Sequence, residues 1–296
     1  MRKFRLLGVL LAIMLLLPMA ALARDITPLV STDWLQKNLE NPRIVVLDVR
    51  KVEEYKAGHI PKAVNAFYGS WAIKRGELLN ELPANDELFD IIGGAGIDAN
   101  SLVVVVGKTA AVPDQFDMTR VAWTLKYAGV ANVAILDGGQ DKWVKDGKAI
   151  STDAVRAKAK AYRGRLNRGL FVNKDYVLNR LGKAVILDVR APAFYEGKQK
   201  LPFVPKAGRI KGAVNLPVGQ LFTPEGLYKD QAALAALATA AVGADKTKEI
   251  IAYCDTGKTC TSWAFILSDM LGYQNVKIYD GSTMEWLKDP AAPAEP

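Results

Sequence analysis

Apolar residues in this chain fall into short runs separated by amphipathic stretches. The runs are Ile44–Leu47, Leu102–Val106 and Val133–Leu136, then Val185–Leu187, Glu249–Tyr253 and Val276–Tyr279. Most are apolar at successive rather than alternate positions, which suits parallel strands covered on both faces. Between them, Asp86–Ile92, Met118–Tyr127, Gln231–Ala241 and Ser262–Leu271 carry helical spacing. This alternation predicts an α/β fold with mainly parallel sheets flanked by helices. Asn173 stands where it would cap a helix. One apolar run is different in kind. Leu6–Ala23 follows Arg2, Lys3 and Arg5, is broken by Pro18, and ends on Ala21-Leu22-Ala23. It predicts a signal peptide over residues 1–23, and hence a periplasmic or secreted protein. An uncleaved anchor is the alternative, because the run is long enough to span a bilayer.

The pattern occurs twice. Asp48-Val49-Arg50 returns as Asp188-Val189-Arg190, and the stretch Asp137–Trp143 returns as Asp280–Trp286, in the same order and at nearly the same spacing. A duplicated domain is the simplest account. The expected limits are 24–147 for the first domain, 148–171 for a linker and 172–289 for the second domain. Residues 290–296 form a tail too proline-rich to pack. The 296 residues suit two domains of this size.

Composition narrows the chemistry. Half the residues are hydrophobic and 24% are charged, which fits a globular chain. The single histidine, His59, excludes a histidine-rich metal centre, and two cysteines cannot build a four-cysteine zinc site or a disulfide scaffold. No metal centre of these kinds is expected. The formal charge is +8; once Arg2, Lys3 and Arg5 leave, 36 basic against 31 acidic residues gives +5. The densest basic stretch, Arg156–Arg168, is alanine-rich and reads as a solvated connector. It lacks the aromatic partners of a nucleic-acid stripe. Neither a nucleic-acid partner nor stable membrane insertion after cleavage is expected.

The candidate chemistry lies after the run Glu249–Tyr253. Cys254-Asp255-Thr256-Gly257-Lys258-Thr259 joins this strand to a helix starting near Cys260. Such strand–loop–helix junctions bind ligands in open α/β sheets, because backbone N–H groups and the helix dipole favour negative charge there. A cysteine opening the loop should be acidic, with Lys258 helping and Asp255 turned to solvent. The alternative for Cys254 is a buried inert thiol or half of a disulfide.

These features together resemble the two-domain rhodaneses, the thiosulfate and 3-mercaptopyruvate sulfurtransferase family. The resemblance rests on the D-x-R strand ends, Ala57–Ala63 (A-G-H-I-P-K-A), the six-residue cysteine loop and the D-G-x-x-x-x-W ends. It implies tandem rhodanese-like domains, the second catalytic and the first silent, since the matching loop after Val106 begins at Gly107 and holds no thiol. It further implies sulfur transfer through a Cys254 persulfide, with no metal and no organic cofactor. Asp255, Thr256, Gly257, Lys258 and Thr259 would form the substrate loop, and Arg190 would hold a small anionic sulfur donor, thiosulfate being favoured. A thiol, cyanide or a protein would accept the sulfur. Arg190 could instead pair with Asp188, and Arg50 is expected to be structural. Phe194 and Glu196 stand where the mercaptopyruvate-specific members tend to carry a second arginine, whereas Thr256 resembles that subgroup's loop serine. A non-turnover persulfide carrier needs the same loop and is the alternative function.

Two other chemistries fit less well. A phosphatase loop would need arginine six positions after the cysteine to clamp phosphate, and Cys260 stands there. The C-x5-C spacing is not the C-x-x-C of disulfide oxidoreductases. Cys260 itself is expected to be a reduced thiol in the first helical turn, pointing away from Cys254. His59 is expected to be a hydrogen-bonded turn residue.

Overall fold

The apolar runs become the centres of two sheets in a computed structural model that describes residues 24–296. The signal segment expected over residues 1–23 lies outside the described residues. Repeat one contributes β1 (Leu29–Val30), β2 (Ile44–Asp48) and β3 (Val64–Asn65), then an antiparallel hairpin of β4 (Ile73–Arg75) and β5 (Leu78–Glu81), then β6 (Leu102–Val106) and β7 (Val133–Leu136). Repeat two contributes β8 (Phe171–Val172), β9 (Val185–Asp188), β10 (Arg209–Ile210), β11 (Val214–Asn215), β12 (Glu249–Tyr253), β13 (Asn275–Tyr279) and β14 (Ala294–Glu295). The main sheets run β1-β7-β6-β2-β3 and β8-β13-β12-β9-β11, with every pairing parallel. The two orders are the same order, so the duplication seen in the sequence is a duplication of topology.

Parallel strands need crossovers, and helices supply them. In repeat one these are α1 (Thr32–Asn38), α2 (Val52–Ala57), α3 (Asn85–Gly94), α4 (Val112–Tyr127) and α5 (Gly139–Lys145). In repeat two they are α6 (Lys174–Arg180), α7 (Pro192–Tyr195), α8 (Gln231–Val242), α9 (Cys260–Phe265) and α10 (Ser282–Trp286). Asn173 caps α6 as expected, its Oδ1 accepting from the Tyr176 amide at 3.0 Å. Coverage on both faces explains the unbroken apolar runs: every residue of β6 is buried, each such side chain contributing about 1.5–3 kcal/mol. One face of each sheet has its own core. The other faces share a single core, which runs from Leu47 and Trp123 to Trp263 and Leu267. At its centre α4 packs on α9, and the Thr119 and Ser262 hydroxyls meet at 2.9 Å across the interface. These two residues are separated by 143 positions, the spacing at which Asp137–Trp143 recurs, so they are equivalents meeting at an approximate two-fold axis.

One expectation is corrected. The tail packs, because β14 pairs antiparallel with β10 and the Trp286 indole donates to the Pro293 carbonyl at 2.9 Å. The prolines flank the paired residues rather than occupying them, so the ladder keeps its N–H groups. The connector 148–171 keeps the basic residues of Arg156–Arg168 exposed, as expected, and is anchored at a few points. Tyr162 is buried with its hydroxyl on the Ala128 carbonyl, and Lys160 and Asn167 donate backbone N–H groups to Gly93 and Tyr127. Gly93 permits this approach, since a Cβ there would lie 2.2 Å from the Lys160 carbonyl oxygen. The connector's last residue, Phe171, opens the edge strand β8.

Candidate active site

Cys254 follows the last residue of β12, at the carboxyl end of a central strand, and α9 begins at Cys260. The loop between them is curled by Gly257, whose φ of +69° favours glycine and whose missing Cβ would fall 2.3 Å from the Asp280 carboxylate. Ser282 braces the curl from the start of α10. Its hydroxyl accepts from the Cys254 and Gly257 amides at 3.2 and 3.0 Å and donates to the Tyr279 carbonyl. The amides of Thr283 and Met284 then donate to the carbonyls of Cys254 and Asp255. With its carbonyls held outside, the loop leaves amides for its interior.

The Cys254 sulfur sits in that interior, and the residue is only 2% exposed. Burial pushes its thiol up, yet a hydrogen bond from the Cys260 thiol and the amides of Thr256 and Cys260 outweigh it. The net result is a value lowered to about 6, despite the opposing charge of Asp255. Cys254 is therefore largely thiolate at neutral pH. Both cysteines are free thiols. Cys260 does not point away as expected: its thiol faces Cys254, and burial together with that bond raises it well above the ordinary thiol range. A first-turn helical residue can turn inward here because the loop wraps the sulfur from both ends.

The charged loop residues also differ from expectation. Asp255 is not turned to solvent. Its carboxylate accepts from the Thr283 hydroxyl at 2.7 Å and faces Arg190 Nη1 at 3.4 Å. Lys258 does not point at the thiolate but pairs with Asp117 of repeat one and lies 4.7 Å over the Tyr68 ring. Arg190 is buried against Asp188, with Nη2 2.6 Å from the carboxylate and donating to the Gly208 carbonyl at 2.9 Å. Arg50 makes the same set with Asp48 and the Gly58 carbonyl. The two arginines share this packing and differ in one contact: Arg190 also faces Asp255 of the cysteine loop, whereas the described bonds of Arg50 reach only Asp48 and Gly58. Thr256 accepts from the Asn80 side chain at 2.8 Å, and Thr259 is the residue before α9. His59 is a buried turn residue, stacked on Tyr55 and bonded through Nδ1 to its carbonyl.

Sequence reasoning missed Arg120. It is fully buried in α4 of repeat one, yet its guanidinium donates to the Gly257 carbonyl at 2.8 Å and pairs with Asp280. Its only signal was a charged residue beside the apolar positions Val121, Ala122 and Trp123 of a helical stretch.

The rhodanese-like domain family matches residues 31–146 and again 173–289. This chain belongs to the rhodanese family. Among curated proteins, the rhodanese described here is 31% identical to the "Sulfur carrier protein TtuD" of Thermus thermophilus, over 87% of this chain and 93% of that protein. It is 30% identical to a "Putative thiosulfate sulfurtransferase" of Mycolicibacterium smegmatis, over 90% of this chain and 97% of that one. Among solved structures it resembles an anaerobic ergothioneine biosynthesis enzyme from Chlorobium limicola, with a TM-score of 0.78 and 24% identity over 90% of this chain and 70% of that one. That likeness speaks for the fold alone. The relatives' names support sulfur transfer in general terms.

Proposed function

We propose that this rhodanese is an exported sulfurtransferase that carries a sulfane sulfur on Cys254 between a small anionic donor, thiosulfate in the first instance, and a thiophilic acceptor. The observation that carries this reading is a buried thiol lowered to about 6 inside a loop of inward-facing amides. The Cys254 thiolate attacks the outer sulfur of thiosulfate. The donor's S–S bond breaks, sulfite leaves with the electron pair, and the enzyme holds a persulfide. Loop amides stabilise the negative terminal sulfur. Cyanide or an acceptor thiolate then attacks that sulfur, and Cys254 leaves as thiolate. Lys258 and Arg190 are already paired with Asp117 and Asp188, so the amides carry most of the recognition of negative charge. Mass spectrometry after thiosulfate treatment tests the proposal: an adduct of about +32 Da, one sulfur atom, should form on Cys254 and on no other residue. A carrier without turnover is the second reading, favoured by the likeness to a protein named as a sulfur carrier. Steady-state assay with thiosulfate and cyanide separates the two.

A further inference from the structure

The catalytic loop is held from outside by the repeat that has no thiol. Four side chains of repeat one reach it: Asn80 donates to the Thr256 hydroxyl, Asp117 pairs with Lys258, the Tyr68 ring lies against the Lys258 ammonium, and Arg120 donates to the Gly257 carbonyl. Arg120 has the most constrained place. Its guanidinium is fully buried, bonds the Asn80 carbonyl and the Asp280 carboxylate as well, and stacks 4.7 Å over the Phe171 ring.

We infer that Arg120 is a positioning residue for the Cys254 site, acting through the peptide unit between Gly257 and Lys258. In a trans peptide the C=O and N–H point in opposite directions. Pinning the Gly257 carbonyl to the guanidinium turns the Lys258 N–H away from Arg120. That amide donates to no oxygen among the described hydrogen bonds, and neither do those of Asp255 and Thr259. The Gly257 N–H cannot take over, because Ser282 already accepts it. Arg120 thereby keeps one more amide directed to the loop interior, where the charge of the Cys254 sulfur, and of the sulfur it would carry, is stabilised. Asp280 fixes the guanidinium, and its backbone packs on Gly257. The silent repeat is on this reading part of the active site, although it touches no substrate.

The inference rests on the proposed function only for its kinetic arm, so the test begins with a readout independent of sulfur transfer. The pH dependence of Cys254 alkylation by iodoacetamide would be measured in wild type, Arg120→Lys and Asp280→Asn, with Arg50→Lys as a control away from the loop. Each variant's fold would be checked by near-UV circular dichroism. Arg120→Lys keeps the charge but not the forked geometry, and Asp280→Asn keeps the volume. Both should raise the apparent thiol pKa, lowering the alkylation rate near pH 6 by about three- to tenfold. Arg50→Lys should leave the profile unchanged. If thiosulfate turnover is present, kcat should fall more than KM rises. Folded Arg120→Lys and Asp280→Asn variants with the wild-type alkylation profile would overturn the inference. Loss of fold in both would overturn it too, by showing that Arg120 holds the domains together and not the loop. Absence of turnover in wild type, with the alkylation shift intact, would count against the sulfurtransferase reading and leave the positioning role standing.

Discussion

The loops that open at Gly107 and at Cys254 occupy the same place in the two repeats, and they differ in what fills them. In repeat one the Asp141 carboxylate reaches back into the loop, its Oδ2 accepting from the amides of Thr109 and Ala110 at 2.5 and 3.0 Å. In repeat two the position that matches Asp141 by the spacing of the D-G-x-x-x-x-W ends is Met284. It cannot supply such an anion, and the Thr256 and Cys260 amides are left to the Cys254 sulfur. Repeat one thus differs in two respects: its loop holds no thiol, and two of its loop amides are already satisfied. Free volume does not mark the chemistry. A cavity of about 940 Å³ lies at the Gly107 loop between Thr109, Gln115, Lys142 and Lys229, whereas Cys254 is nearly enclosed. The arginines teach the converse. Arg50 and Arg190 make the same buried ion pair at the same strand end, a construction shared by both repeats, to which Arg190 adds its contact with Asp255.

The comparison can be broken most decisively at the sulfur. We expect Cys254→Ser to lower thiosulfate–cyanide turnover by at least about 10³-fold with the fold intact, since a serine oxygen forms no persulfide. Retained turnover would put the chemistry elsewhere. Next in size are the two arginines. Arg50→Ala and Arg190→Ala each leave a buried aspartate unpaired, and each should destabilise its domain by about 3–5 kcal/mol in denaturant unfolding. A large kinetic loss confined to folded Arg190→Ala would instead give that residue a direct part in donor binding. Met284→Asp rebuilds the silent arrangement in the catalytic loop. The new carboxylate should compete for the amides and raise the Cys254 thiol by about one unit or more, read from the alkylation profile. In wild type that profile should rise as pH increases through about 6 and level off above it, because only the thiolate reacts. The smallest kinetic effect belongs to Asp141→Ala. It should cost no more than about 0.5–1.5 kcal/mol of stability, because the two amides it releases are exposed and water can take its place, with sulfur transfer unchanged.

Much of this was legible in the chain. The continuous apolar runs gave the central strands, because a strand covered on both faces has no polar face to write in its sequence. The edge strands β1, β3, β8 and β11 are two residues each, too short to carry a period, and they exist because a neighbouring strand offers hydrogen bonds. The tail at β14 and the connector over Gly93 are packed for the same kind of reason: their partners lie far along the chain.

At the candidate site, local sequence determined where the thiol and its loop would stand. A thiol at a strand's carboxyl end, followed by a glycine-bearing turn and a helix start, presents free amides whatever surrounds it. Which charges would face the sulfur was decided only in three dimensions. Lys258, Asp255 and Cys260 stand at fixed distances from Cys254 along the chain. Their directions depend on Asp117 and Tyr68 for the first, on Thr283 and Arg190 for the second, and on the closure of the loop for the third. Arg120 could not be assigned at all from its own neighbourhood, since the carbonyl it holds is 137 positions away. Electrostatics in a buried site is set by every group packed against it, whichever part of the chain supplies that group, and a linear pattern records only its own segment.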